Sequence, residues 1–375
     1  MLNGTKCIMK KILLIAYNDL NNSGVPNVIY QVIKALHNDY FFDVLVFGSD
    51  DYYYRKLKNE GIKNINLIKY FEKMPKSRIK RMLWHLFKEQ RERYNFMKKL
   101  LNHNDYFAVH SFKETDTWPF FKAAKRKGIK KRIFHCNVDL TISSLKIKDF
   151  FKKRNKRLSI KYSTSLVGVS KKCCQIAFGT NKFDVLYNSY DEKKYNNNVL
   201  NENHNDSFVI TQVGTFCDNK NQLFSLEVLN ELLKIYNNAK LNLIGYNGKT
   251  QYYCDLIDYV KKNKLEKHVL FYEKIEDVSA IYKTTTFVVV PSKKEGFSLV
   301  TIEAQACGIE VFASSNITDE TNCGGVIFLD LNNPKKWADR LYQEFLEKKN
   351  KKESFDLKNF SFENFKNKLK YLYEK

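Results

Sequence analysis

Thr286–Ala313 reads TFVVVPSKKEGFSLVTIEAQACGIEVFA, a pattern of strand, loop, helix and strand. Phe287–Val290 are β-branched or aromatic, and Pro291, which cannot donate to a strand ladder, ends the run. Lys293, Lys294, Glu295 and Gly296 follow as a loop. Ser298 fits an N-cap, so the spacing predicts a helix from Leu299 to Cys307. Gly308 sits where a helix C-terminus calls for a left-handed residue, and Ile309–Ala313 restarts a strand. The free backbone N–H groups of Leu299 and Val300 would then face out at the edge of a parallel sheet, a ready site for a phosphate.

Two carboxylates bracket this site: Glu295 in the loop and Glu303 on the helix, with seven residues between them. A lone phosphate gains nothing from nearby carboxylates. A nucleotide-sugar does, because its hydroxyls donate to ionised acceptors. The duller alternative is a surface-loop Glu and a solvated helix Glu.

The 375 residues suffice for two domains, and 43% hydrophobic with 28% charged residues marks a globular chain. No apolar run is long enough to span a bilayer or to form a secretory core; the run near the start stops at Tyr17. Met9-Lys10-Lys11 looks like a natural start, with residues 1–8 an extension. The eight cysteines form neither a zinc pattern nor a disulfide framework, which fits reduced thiols. The net charge of +23 is concentrated. Phe71–Lys99 has ten Lys/Arg against three Glu, and Lys146–Lys161 has eight against one Asp. Both carry apolar residues at helical spacing: Ile79, Leu83, Leu86, Phe87 and Tyr94, then Ile147, Phe150, Phe151 and Leu158. Such basic amphipathic helices suit an anionic membrane surface, or else pack on their apolar faces with the charges in water. No recognised nucleic-acid motif is present, so nucleic acid is disfavoured as a partner.

Taken in order, strands and helices alternate. Lys11–Tyr17 is the first strand, its loop holds Ser23 and Gly24, and Pro26 opens a helix to about His37. Strands follow around Asp43–Phe47, Asn66–Lys69, Tyr106–His110, Arg132–His135 and Asp184–Tyr187, with helices over Thr115–Gly128 and after Ser170. Gly24, His110, His135, Ser170 and Asn188 all fall at carboxyl ends of strands, where a doubly wound sheet keeps its ligands. The polar stretch 196–207 reads as a linker. Beyond it come strands at Phe208–Val213, Leu241–Ile244 and Val269–Tyr272, and helices at Asn221–Tyr236, Gln251–Lys262 and Val278–Tyr282.

EGFSLVTIEAQACG resembles the Glu-x7-Glu motif of retaining GT-B glycosyltransferases of family 4, which reads EGF(S/P)xxxxEA. The resemblance extends over residues 9–375. NNSGVPNVIYQV is similar to the family's glycine-containing first loop, with Ser23-Gly24 where Gly-Gly is common. RIFHCN is similar to the strand ending in a His near the donor sugar, so the resemblance gives His135 that role. VLYNSYDEKKY is similar to an Asn-Gly-x-Asp linker, with Ser189 in place of Gly. The loop opening at Gly214 reads Gly-Arg…Lys in the family; here Lys220 matches but Thr215 stands where Arg is expected, replacing a permanent charge by a hydroxyl. ITDETNCGGVIFLDL resembles the subset acting in capsular and exopolysaccharide assembly.

The resemblance implies an α/β GT-B architecture of two Rossmann-like doubly wound domains with an interdomain cleft. The boundaries would be an acceptor domain at 9–195, a linker at 196–207, a nucleotide-sugar domain at 208–350, and a helical segment at 351–375 packing back on the first domain. It implies transfer of a hexose or N-acetylhexosamine, with retention, from a nucleotide-sugar (a UDP-sugar favoured) to a growing lipid-linked glycan, with no metal and no cofactor. The expected location is cytoplasmic, on the inner face of the plasma membrane. Glu303 is expected on the ribose, Glu295 on a sugar hydroxyl, and Lys220 with the backbone around Gly214, Thr215, Gly296, Phe297, Ser298 and Leu299 on the diphosphate. His135, Glu295 and Lys220 are the catalytic candidates, and Gly24 joins the donor-binding set. Two alternatives stay open: a GT-B nucleotide-sugar epimerase, and a basic membrane- or nucleic-acid-binding protein with a degenerate sugar site.

Overall fold

Every strand pairing among the described residues is parallel, and the apolar strand runs follow from that: a parallel sheet is covered on both faces. The computed structural model describes residues 9–347 and 355–375, apart from 22, 73, 78–79, 81–83, 85–87, 138–146, 196–207, 247, 249, 274 and 276. The expected extension 1–8, the expected linker 196–207, and Ile79, Leu83, Leu86 and Phe87 of the first basic stretch lie outside the described residues. The chain divides into two compact units, 1–188 with 363–375, and 189–362.

The first unit holds a seven-stranded sheet in the order β3-β2-β1-β4-β5-β6-β7. Its strands are β1 (Lys10–Ile15), β2 (Tyr40–Val46), β3 (Ile65–Lys69), β4 (Ala108–Ser111), β5 (Lys131–Cys136), β6 (Ser165–Gly168) and β7 (Asp184–Val185). Ile12 through Ala16 are fully buried, as a central strand requires. The order reverses between β1 and β4, which creates a switch point at their carboxyl ends. The helix Phe362–Glu374 belongs to this unit and buries Phe365, Leu369, Leu372 and Tyr373.

The second unit holds a six-stranded sheet in the order β10-β9-β8-β11-β12-β13. Its strands are β8 (Phe208–Val213), β9 (Ala239–Tyr246), β10 (Val269–Glu273), β11 (Phe287–Val290), β12 (Val311–Ser314) and β13 (Val326–Leu329). The helices Gln222–Leu232 and Pro334–Glu347 share one core, in which Phe224 meets Trp337 edge-on and Phe208 stacks on Phe345 with centroids 4.3 Å apart. Here the switch point lies between β8 and β11.

Several boundaries differ from the sequence reading, each for a local reason. Thr115–Gly128 is not one helix: Glu114–Thr117 forms a 3-10 turn, and the α-helix begins at Trp118 with Pro119 in its first turn. Asn221 lies in the left-handed region, so the next helix opens at Gln222. The basic helix Ile147–Tyr162 does not seat Phe150, which stays 67% exposed. It is docked by polar bonds instead: Ser159 Oγ donates to Thr115 O at 2.7 Å, and Asn155 Nδ2 to Asp116 Oδ1 at 3.0 Å. In the first basic stretch Arg93 is buried, not lipid-ready; Glu72 at 2.5 Å, Glu89 and Asp116 hold it.

Candidate functional site

Two loops meet at the carboxyl edge of the second sheet. One follows β8 and runs from Gly214 to Asn221; the other follows β11 and runs from Pro291 to Ser298. They are tied together by Lys293 N donating to Asn219 O at 2.8 Å and Asn219 Nδ2 donating to Lys294 O at 2.9 Å. The first loop is held from below. Phe216 is buried against Tyr246, Tyr253 and Phe271, and Gln222 Nε2 donates to Gly214 O and Thr215 O at 3.2 and 3.1 Å. Gln212 Nε2 donates to Lys220 O at 2.6 Å. The end of β9 passes so close that a Cβ on Gly245, at φ +120°, would fall 2.4 Å from Gly214 O, so that position needs glycine.

This scaffold aims Lys220 at Glu295. Their Nζ and Oε1 atoms are 2.6 Å apart, and Ser292 Oγ donates to the same oxygen at 2.5 Å. The Glu295 side chain is 7% exposed and that of Lys220 28%. Lys293 pairs with Asp218 at 2.6 Å and both are exposed, as are Lys294 and Thr215. Ser298 does occupy the N-cap position of the helix Leu299–Ala306, but its hydroxyl makes no capping bond. It is buried and, among the described residues, has no hydrogen-bond partner; Thr301 Oγ1 shares that condition. Gly296 and Phe297 complete the loop, Phe297 lying 5.7 Å from the Phe360 ring.

Glu303, one turn further along the helix, sits in a different environment. Burial pushes its carboxyl up to about 7, against the opposing pull of Lys194 and of a hydrogen bond from Tyr195, while Asp191 pushes further upward. The residue nonetheless keeps partial surface exposure, so the carboxylate is enclosed without being sealed. Tyr195 closes the short helix Glu192–Tyr195, and its carbonyl accepts from Cys307 Sγ at 3.5 Å. Burial, then Glu303, raises the Tyr195 phenol. Tyr195, Lys194 and Ser292 escaped the sequence reading. Ser292 carried a local signal, a hydroxyl three residues before Glu295; Tyr195 carried none beyond its place in the DEKKY segment.

The remaining candidates belong to the first unit. Gly24 opens the helix Gly24–Leu36, with open space where a side chain would stand. His135 is fully buried, and burial pushes it down to about 3.

Residues 194–359 match the family described as Glycosyl transferases group 1. A capsular polysaccharide biosynthesis glycosyltransferase of Staphylococcus aureus, CapH, is 30% identical over 141 residues, 37% of this chain and 38% of that one. The putative glycosyltransferase EpsF of Bacillus subtilis is 24% identical over 265 residues, 66% of this chain and 68% of its own. Among solved structures, Anabaena HepE in complex with UDP superposes with a TM-score of 0.74 at 15% identity, covering 97% of this chain and 99% of that one. TarM gives 0.72 at 13% identity, covering 98% and 99%. Residues 194–359 are therefore similar to the glycosyl transferases group 1 family, within a chain that has the GT-B fold.

Proposed function

We propose that this protein is a retaining, metal-independent glycosyltransferase that moves a hexose or N-acetylhexosamine from a UDP-sugar to a growing lipid-linked glycan, in capsular or extracellular polysaccharide synthesis. The observation that carries the reading is the enclosed Glu295 carboxylate, gripped by Lys220 and Ser292 at the switch point, with Glu303 on the helix that follows. The likeness to CapH supports the pathway, and HepE, solved with UDP and with UDP-glucose, supports the donor.

In this reading Glu303 accepts from the ribose hydroxyls and Glu295 from a sugar hydroxyl. Lys220, the Leu299 and Val300 N–H groups and the unpartnered Ser298 hydroxyl take the diphosphate, with Gly214, Thr215, Gly296 and Phe297 shaping the approach. His135 and Gly24 stay assigned to the donor by the likeness of their segments. The bond from the anomeric carbon to the diphosphate oxygen breaks, a bond to the acceptor hydroxyl oxygen forms on the same face, and the leaving phosphate takes the acceptor proton. Lys220 and the helix N-terminus stabilise the charge left on that phosphate. The protein works at the cytoplasmic membrane face, docked on anionic lipid through the exposed side of Ile147–Tyr162. There Phe150 stands beside Lys153, Arg154, Arg157 and Lys161, all exposed.

Thermal shifts and titrations with UDP, GDP and their sugars test the reading, followed by donor hydrolysis. UDP and one UDP-sugar should stabilise the protein. Glu303→Gln should weaken UDP itself, whereas Glu295→Gln should spare UDP and weaken use of the sugar. No response to any nucleotide, or equal loss of UDP in both variants, overturns the assignment.

A further inference from the structure

Two imidazoles lie side by side in the core of the first unit. His110 is opposite Ile133 in the β4–β5 register, so His135, two residues on, shares its face of the sheet. Both are fully buried. The ring planes lie within 11° of each other with centroids 5.3 Å apart, and His110 Nε2 is 3.1 Å from His135 Nδ1. His110 Nδ1 is in turn 2.7 Å from the hydroxyl of Tyr373, on the helix Phe362–Glu374 of the same unit. Phe112 flanks both imidazoles and Tyr40 flanks Tyr373. Burial keeps both rings neutral: His135 is pushed down to about 3, and His110 well below its usual value by burial and then by His135. Each ring therefore carries one N–H and one lone pair.

Counting donors sets the direction. Tyr373 is fully buried, and His110 is the hydrogen-bond partner of its hydroxyl among the described residues. If His110 donated to it, the phenol hydrogen would be stranded, and so would the His135 Nε2 lone pair. If Tyr373 donates to His110 Nδ1, His110 Nε2–H donates to His135 Nδ1, and only the His135 Nε2–H is left over. His135 Nε2 is indeed buried without a partner among the described residues.

We propose that Tyr373 and His110 are positioning residues that hold His135 as its Nε2–H tautomer, so that it presents one fixed donor to an oxygen of a bound sugar. The relay stands on the contacts and burial of the three side chains; the sugar rests on the glycosyl-transfer reading.

The test uses the full chain labelled with 15N-histidine, assigned with His110→Asn and His135→Asn, and read by two-bond 1H–15N correlations from about pH 6 to 8. His135 should show Nε2 protonated and Nδ1 bare throughout. In Tyr373→Phe, which removes only the hydroxyl, both rings should become mixtures of tautomers, with kcat for UDP-sugar hydrolysis falling more than KM changes. A wild-type His135 that is Nδ1-protonated or cationic overturns the relay, as does a pure tautomer in Tyr373→Phe. The His135 Nε2–H resonance should move when UDP-glucose, UDP-galactose or UDP-N-acetylglucosamine binds, and stay put with UDP. No movement on a bound sugar overturns the presentation of the donor. An intact tautomer in a protein that binds no UDP-sugar overturns the transferase reading and leaves the relay standing.

Discussion

Lys220 Nζ lies 2.6 Å from Glu295 Oε1, and that oxygen also accepts from Ser292. The cation assigned to the diphosphate is thus also the counter-ion of the carboxylate assigned to the sugar. Lys220→Ala should have two separable effects. It strips a nearly buried carboxylate of its partner, which should cost about 1–3 kcal/mol in urea unfolding, less than a fully buried pair because Lys220 is partly solvated. It should also weaken UDP by about tenfold to a hundredfold, one charge-assisted bond. Lys220→Ala/Glu295→Gln should regain the stability without regaining UDP affinity. Recovery of both would make the lysine purely structural.

Thr215 is exposed at the lip of the same loop, so Thr215→Arg should be accommodated without loss of Tm. Adding a guanidinium there should tighten UDP by roughly 1 kcal/mol, about fivefold, and more at low salt. Calorimetric titration at two salt concentrations reads the effect. An unchanged Kd would place the diphosphate elsewhere, with Lys293 and Lys294 the nearest cations.

Glu303 supplies a pH dependence. Its folded value, about 7, stands above the ordinary carboxyl value of 4.5, so the fold favours the protonated form. That contribution is fully present below the unfolded value and is lost as pH rises through 7. Wild-type stability should therefore fall across this window by about 1–3 kcal/mol relative to Glu303→Gln, whose profile should be flatter. Binding runs the opposite way, because ribose hydroxyls need the ionised acceptor. UDP affinity should rise with pH through the same window in wild type more steeply than in Glu303→Gln. Parallel slopes in the two proteins would detach Glu303 from the nucleotide.

Gly245 is a test of the scaffold alone. With φ at +120° and Gly214 O in the way, Gly245→Ala should cost about 2–4 kcal/mol and distort the first loop, so Tm and UDP affinity should fall together. A neutral substitution would mean that β9 approaches the loop less closely.

Membrane docking predicts that anionic vesicles co-sediment the protein at low salt and lose it as salt rises, at about 1 kcal/mol per cation near the surface. Phe150→Ser with Arg157→Glu should release it with little change in Tm, since both side chains are exposed. Equal binding to neutral vesicles would sink the idea.

Parallel-sheet architecture was legible because buried parallel strands leave unmistakable apolar runs such as Phe287–Val290, punctuated by Pro291 and Gly308. Glu295 and Glu303 were legible as a pair by spacing. Their opposite environments were not: Glu295 is met by Lys220 from a loop 75 residues away, and Glu303 is enclosed by Tyr195 from a separate short helix. Phe150 was left open between a packed and a lipid-facing role because periodicity reports a stripe without saying which side of it finds a partner. Here Asn155 and Ser159 do the docking through hydrogen bonds that no apolar pattern announces.

The helix Phe362–Glu374 completes the first unit although the second unit, residues 189–362, lies between it and the rest of that unit in the chain. The first unit therefore cannot fill its core until the whole of the second has been synthesised. Residues 189–362 are contiguous and hold all they need once synthesised, while the earlier unit must wait for Phe365, Leu369, Leu372 and Tyr373 to emerge. A chain cut after Phe362 keeps residues 189–362 and strips the first unit of Phe365, Leu369, Leu372 and Tyr373.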